Sequence, residues 1–172
     1  MSSFMNTVDV VGDEALTTSI IDRSITEIAD NLVTRLGTYA FSGCSQLTTA
    51  DFSVATSVGD YAFSGCSALT AVDFPAVTRI ESGVFNYCSK LTALILRSAR
   101  MATLTNANVC NSTPIKSGTG YIYVPRALLS DTDSTKDYRQ ASNWSTYAAQ
   151  FRALEDYTVD GTTTGALDET KI

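Results

Sequence analysis

The chain contains no histidine. Histidine is the commonest general base and metal ligand at neutral pH, so its absence excludes Ser-His-Asp and Cys-His catalytic arrangements. Lysine and arginine never form a block, and 12 basic against 18 acidic residues give a formal net charge of −6. Because a nucleic-acid backbone is bound through clustered basic residues, we do not expect nucleic acid as a partner.

Long apolar runs are missing as well. No stretch approaches the roughly 18 apolar residues of a membrane span, so we expect no membrane insertion. The first residues lack a basic region, and Asp9, Asp13 and Glu14 interrupt any apolar core, so we expect no signal peptide. Cys-x-x-Cys pairs are also missing, and we predict neither a metal site nor a cofactor.

One motif recurs at a constant step of 22 residues. Cysteines stand at 44, 66, 88 and 110, and phenylalanines at 41, 63 and 85. A fixed period in this range is the mark of a solenoid, in which each repeat forms one coil. In the last copy, Cys110 keeps the step, while Ala107 stands where phenylalanine is expected.

Each copy contains a short alternating segment that predicts a strand. In Leu69-Thr-Ala-Val72-Asp-Phe74, Val72 and Phe74 face inward, whereas Asp73 faces outward. The equivalent segments begin at Leu47 and Leu91, and the first copy begins at Ile25. The coils therefore build a parallel sheet, which Tyr121–Val124 extends by a closing strand before Pro125.

A second apolar position follows each strand, at Leu36, Val58 and Ile80. Positions 38, 60 and 82 hold Thr, Asp and Ser, which are good N-caps, so we expect each side chain to cap a short helical turn. The side chains expected in the core are Phe41, Cys44, Phe63, Cys66, Phe85, Cys88 and Trp144. We expect all four cysteines to be reduced and buried, because a small thiol suits an interior ladder.

These patterns predict an α/β solenoid: a short, right-handed solenoid with about four or five short strands, short helical turns and a cap at each end. Residues 1–24 form an N-terminal cap or an assembly segment. Residues 25–125 form the solenoid, and residues 126–157 form a helical C-terminal cap. Residues 158–172 are rich in threonine and glycine and are interpreted as a flexible tail.

The outward face of the sheet supplies the candidate binding residues. Alternation places Asp51, Asp73, Ile95 and Tyr123 in one column, and Thr49, Ala71, Ala93 and Tyr121 in the next. The candidates are Thr49, Asp51, Asp73, Ile95, Arg97, Tyr121 and Tyr123. Two interpretations stay open for each part of this surface. The tyrosines contact a partner or pack under the C-terminal cap, and the aspartates bind a basic group or are solvated charges that prevent aggregation.

The repeat I/V-G-x-Y-A-F-x-x-C-x-x-L-T-x-V-x-F resembles the BspA-type leucine-rich repeats of bacterial surface proteins and of phage and prophage proteins. The resemblance covers residues 25–96, and Thr113–Pro125 with Asn143–Tyr147 is similar to the end of small family members. It implies a non-enzymatic recognition or attachment role and transfers no catalytic residue.

The resemblance implies either a phage virion or a bacterial cell surface as the location of the protein. The expected lack of a leader and of a cell-wall anchor favours the virion. The chain would then be a phage tail or fibre-associated protein, made in the bacterial cytoplasm. The partner is then a protein or a surface glycan, and a fibre component is expected to be a homo-oligomer, such as a trimer. The alternative is a bacterial cell-surface adhesin that binds host protein or glycan. A carbohydrate-active enzyme is a distant third, because no pocket is evident that could raise the pKa of one carboxylate.

Overall fold

A computed structural model describes residues 23–172 and shows a solenoid with two parallel sheets. The N-terminal segment that we interpreted as a cap therefore lies almost wholly outside the described residues. The strands of the first sheet are β1 (Glu27–Ala29), β3 (Thr49–Asp51), β5 (Ala71–Phe74), β7 (Ala93–Leu96), β9 (Tyr121–Val124) and β10 (Phe151–Ala153). Those of the second are β2 (Arg35–Leu36), β4 (Ser57–Val58), β6 (Arg79–Ile80) and β8 (Thr103–Leu104).

The first sheet has the order β1-β3-β5-β7-β9-β10, with every neighbouring pair parallel. Its first five strands are those that the repeat pattern predicts, which confirms the solenoid. The sixth, β10, comes from the C-terminal region and pairs with β9, with Phe151 opposite Ile122. This region therefore adds a strand to the sheet in addition to capping it.

The second sheet, β2-β4-β6-β8, was not predicted. Each strand is only two residues long, and its second residue is buried, as in Leu36, Val58 and Ile80. The sequence shows these residues as isolated apolar positions, because two residues are too few to display an alternating pattern.

The core between the sheets is built from identical side chains stacked coil upon coil. The Phe63 ring lies 5.4 Å from the Phe41 ring and 5.9 Å from the Phe85 ring, in parallel stacks. Phe52, which directly follows β3, and Phe74 of β5 pack beside this column. These side chains are fully buried, so the column forms the centre of the hydrophobic core.

Cys44, Cys66 and Cys88 form a second interior column, and all four cysteines are reduced and buried. The Cys66 thiol donates to the Phe41 carbonyl oxygen at 3.2 Å, and the Cys88 thiol donates to that of Phe63 at 3.1 Å. Burial raises the pKa of the Cys88 thiol to about 12 and raises that of Cys66 still further. The thiols are therefore protonated, unreactive members of the core.

Threonine side chains connect the coils at the surface. The Thr48 hydroxyl donates to the Thr26 carbonyl at 2.9 Å, and the Thr56 hydroxyl donates to that of Thr34 at 3.1 Å. Each bond spans 22 residues, so the repeated threonines bind one coil to the next, as structural ladders do.

Four-residue turns follow the strands of the second sheet, and each is closed by a hydrogen bond from an amide to the carbonyl three residues earlier. The Ala40 amide donates to the Gly37 carbonyl, and the Cys44 amide donates to that of Phe41. The capping prediction is wrong for Asp60, whose Oδ1 accepts from the Ser82 amide of the next coil at 2.9 Å. Adjacent coils offer this carboxylate an amide donor that local sequence rules do not consider.

The last coil carries an insertion that shifts its register. The Phe63 amide donates to the Val84 carbonyl, but the Phe85 amide donates to that of Val109, 25 residues beyond Val84. Cys110 therefore occupies the position of Phe85, and Thr113 corresponds to Cys88. The 22-residue spacing of Cys110 in the sequence does not reflect its structural place. This coil also contains α1 (Pro114–Ser117), whose N-cap is Thr113.

The C-terminal cap consists of short 3₁₀ helices at Arg126–Leu128, Ser134–Lys136, Trp144–Gln150 and Leu154–Asp156. Trp144 is buried and donates from its indole Nε1 to the Ala102 carbonyl at 2.7 Å. Tyr138, which the sequence did not single out, packs against Trp144 and Phe151 and accepts from the Ala102 amide. The aromatic rings thus seal the last coil. Within residues 23–172, no helix is long and apolar enough to cross a membrane.

Candidate functional site

The outward face of the six-stranded sheet, called the sheet face here, has the two columns that alternation predicts. Asp51 lies opposite Asp73, Asp73 opposite Ile95, and Ile95 opposite Tyr123. Ala71, Ala93 and Tyr121 align in the neighbouring column. The register is confirmed, because one constant repeat length keeps equivalent residues on the same side of every strand.

The second half of the sheet face is covered. Ile95 is 0% exposed and Tyr123 is 2% exposed, although both were expected to be available to a partner. They form a small apolar cluster with Leu154, against which Tyr157 and Leu167 pack. Of the two interpretations left open for Tyr123, the structure therefore supports packing under the C-terminal region.

The covering element is residues 158–172, which we expected to be a flexible tail. In the structure, Thr158 bridges to Leu167 in antiparallel fashion, and the Val159 amide donates to the Ala166 carbonyl at 2.9 Å. The Asp168 amide donates to the Tyr157 carbonyl at 2.8 Å. This C-terminal segment thus forms a closed loop packed against the sheet face.

Arg97 connects the C-terminal segment to the sheet. Its Nε and Nη2 donate to the two carboxylate oxygens of Asp73, both at 2.8 Å. Its Nη1 donates to the carbonyl oxygens of Thr163 and Gly165, at 2.7 Å and 2.9 Å. The planar guanidinium holds a carboxylate on one side and the main chain on the other, a task that suits arginine better than lysine. Arg97 and Asp73, both predicted as binding residues, therefore bind each other and the protein's own C-terminal segment.

Tyr121 lies at the border of the covered half. The Arg152 guanidinium sits over its ring, 4.2 Å from the centroid, and its ring meets that of Tyr123 edge-on. Burial raises the pKa of the Tyr123 hydroxyl, and the neighbouring Tyr157 raises it further. Both tyrosines are therefore held in fixed positions in the described structure.

The first half of the sheet face is open. Thr49 and Asp51 are exposed, as are Glu27 and Ala29 of β1. Glu27 lies opposite Thr49, and Ala29 lies opposite Asp51. Among the described residues, neither Glu27 nor Asp51 makes an ion pair, so this half of the face is acidic and its charge is uncompensated.

A groove of about 360 Å³ runs between the sheet face and the end of the C-terminal segment. One wall carries the hydroxyl groups of Thr70, Thr92 and Thr119, and the other carries Glu169 and Ile172. The groove runs along β5, β7 and β9, and β5 is the neighbour of β3 in the open half. The candidate site is therefore a flat acidic surface ending in a shallow cleft, a shape suited to contact with another macromolecule.

The family model described as "BspA type Leucine rich repeat region (6 copies)" matches residues 13–120. The chain belongs to the BspA-type leucine-rich repeat family. The match starts inside the 1–24 segment that we interpreted as a cap or assembly segment. No curated protein and no solved structure matches the chain.

Membership of the BspA-type family indicates a protein-binding or adhesion module, since leucine-rich-repeat solenoids typically act as binding scaffolds rather than catalysts. The described residues contain no group of three carboxylate or thiol side chains that could hold a metal ion. Asp51 and Asp73 lie opposite each other on the sheet face, but Arg97 forms an ion pair only with Asp73.

The BspA-type repeats of this chain also display stacked tyrosines that sequence reasoning did not assign to a site. Tyr39 and Tyr61 stack with their centroids 5.3 Å apart and their planes 7° apart. Both have left-handed backbones, with φ of 58° and 55°, which costs roughly 1–2 kcal/mol per residue. The third copy has Gly83 at this position, and a Cβ there would lie 2.2 Å from the Tyr61 ring. Stacking contributes about 0.5–1.5 kcal/mol, which is less than the combined backbone cost of the two residues.

Proposed function

We propose that the chain is a non-enzymatic recognition module that binds a basic patch of a partner protein through the open half of the sheet face. The observation that carries this proposal is the unpaired acidic surface formed by Glu27 and Asp51 on a rigid, repeated scaffold. Rigid strands hold these carboxylates in place, so their positions do not have to be fixed on binding. The protein's net charge of −6 favours the approach of a basic partner.

We further propose that the module belongs to a phage virion, as a tail or fibre-associated protein. Four reduced, buried cysteines suit a protein that folds in the reducing bacterial cytoplasm. A homo-oligomer, such as a trimer, would present several copies of the acidic surface and increase avidity for a repetitive bacterial surface. Attachment of a bacterial cell to host protein or glycan is the alternative role.

The binding proposal is tested with fluorescently labelled protein on bacterial cells, before and after protease treatment of the cells. We expect Asp51→Lys to weaken binding at least tenfold. Asp131→Lys, an equal charge change on a side chain 87% exposed in the C-terminal cap, should leave binding unchanged. Equal binding by both variants, or binding that survives protease treatment, would contradict a protein partner at the sheet face.

Whether the protein belongs to the virion or to the cell surface is tested separately. Mass spectrometry is applied to purified phage particles and to peptides released by protease from the surface of intact cells. Recovery in the particles at a constant ratio to tail proteins supports the virion. Recovery only among the surface peptides overturns it in favour of the adhesin.

A further inference from the structure

A second groove, of about 480 Å³, lies along the second sheet and shares no residue with the sheet face. Its walls carry polar side chains from three consecutive coils. They are Arg35, Thr38, Ser57, Asp60, Arg79 and Glu81. Its floor is main chain at Gly37 and Gly59, where a Cβ on Gly59 would lie 2.8 Å from the carbonyl carbon of Gly37. The glycines thus allow close stacking of the coils and leave a shallow channel.

The groove is periodic along the solenoid. Arg35 of β2 lies opposite Ser57 of β4, and Ser57 lies opposite Arg79 of β6. Neighbouring strands are about 4.8 Å apart, so the two arginines are about 10 Å apart with a hydroxyl between them. The step of about 4.8 Å from one coil to the next is comparable with the rise per sugar of an extended oligosaccharide. Three coils could therefore contact successive sugar rings.

The charges in the groove balance, with two arginines against Asp60 and Glu81. Arg79 pairs with Glu81, and Asp60 uses Oδ1 for the Ser82 amide. Arg35 is exposed and makes no ion pair within the described residues. The groove therefore offers both hydrogen-bond donors and acceptors without net charge, which suits a neutral polyhydroxyl ligand better than a phosphate or sulfate polymer.

The geometry points to a binding site for a neutral oligosaccharide in the groove of the second sheet. Arg35 and Arg79 donate to ring hydroxyls, and Asp60 and Glu81 accept from them. The site is independent of the protein partner proposed for the sheet face. It involves binding only, with no chemical change to the sugar.

The test is a two-dimensional amide NMR titration of the whole chain with four neutral hexasaccharides: cellohexaose, maltohexaose, mannohexaose and chitohexaose. We expect at least one of them to shift amides within 35–39, 57–61 and 79–82, and to leave β7 and β9 unchanged. Arg35→Ala should lower the affinity at least fivefold. Asp51→Ala, on the sheet face, is the matched control and should not change it.

Circular dichroism and the melting temperature of each variant show whether it remains folded, as expected for exposed side chains. The absence of shifts with all four sugars overturns the inference. Shifts confined to the sheet face, or binding only to a sulfated oligosaccharide used as a fifth probe, overturn it as well. None of these results bears on binding through Asp51, so the two proposals fail separately.

Discussion

Arg97 provides the most direct test of how the sheet face is covered. Arg97→Ala removes three hydrogen bonds to Asp73 and two to the carbonyl oxygens of Thr163 and Gly165. The Arg97 side chain is only 11% exposed, but that of Asp73 is 38% exposed, so solvent screens the ion pair and we assign it no more than about 1 kcal/mol. The bonds to the main chain have a charged donor and contribute about another 1–2 kcal/mol after rehydration of the freed carbonyls.

The expected effect is thus about 2 kcal/mol on opening of the C-terminal segment, with little effect on the rest of the solenoid. Because about 1.4 kcal/mol corresponds to a tenfold change, exchange of the Val159 and Asp168 amides should accelerate about 30-fold. Hydrogen exchange with mass spectrometry measures this on peptides covering 157–168, with core peptides from 61–74 as an internal reference.

Two variants complete the experiment. Arg97→Lys keeps the charge but loses the planar fork, so it should give an intermediate acceleration. Arg126→Ala is the matched control, since Arg126 pairs with Asp156 where both side chains are more than half exposed, and it should change exchange less than twofold. The reasoning is refuted if 157–168 exchanges in Arg97→Ala as it does in the wild type, or if the core reference accelerates equally.

Three further predictions concern the core and the cap. Phe63→Ala should lower the free energy of unfolding by about 3–5 kcal/mol in urea titrations, because it removes the centre of the phenylalanine column. The control is Tyr87→Ala, at a residue 64% exposed, which should change the free energy of unfolding by less than about 0.5 kcal/mol. Native protein should react slowly with a thiol reagent at pH 8, because burial raises the pKa of the Cys88 thiol to about 12. All four thiols should react once the protein is unfolded. Fast labelling of the folded protein would contradict this prediction. Hydrogen bonds from Arg139 lower the pKa of the Asp137 carboxyl in the folded protein. Asp137 therefore stabilises the fold fully above its unfolded pKa of about 3.9. This stabilisation is lost as the pH falls through the lower folded pKa. Asp137→Asn should destabilise the protein at pH 7 and flatten the acid limb of its stability profile, and an unchanged acid limb would show that Asp137 does not contribute.

The repeated part of the fold could be predicted in detail, because in a solenoid each residue contacts its own counterparts. Cys66 and Phe63 are buried for the same reason as Cys88 and Phe85, so a single repeat specifies all of them. The second sheet was missed because its strands are two residues long. The register of the last coil was misread because Cys110 happens to preserve the spacing of 22 across an insertion.

The candidate site was predicted in its column arrangement but not in its accessibility. Alternation along a strand decides which side Ile95 and Tyr123 face, and the structure confirms that side. It does not decide whether another segment covers them. The groove of the second sheet was not recognised from the sequence. Arg35, Ser57 and Arg79 share the 22-residue step, but only the structure shows that their side chains line one channel.

The sequence by itself thus determined the coil length, the inward and outward residues of the first sheet and the composition of the core, because these follow from a constant period and from the alternation of side chains along strands. Only the tertiary structure decided which part of the sheet face is open. Residues 158–172 carry no periodic pattern, and Arg97 holds them through main-chain carbonyl oxygens, which every residue has. A contact made to the backbone leaves no signature in the side-chain sequence, so its location had to be seen in three dimensions.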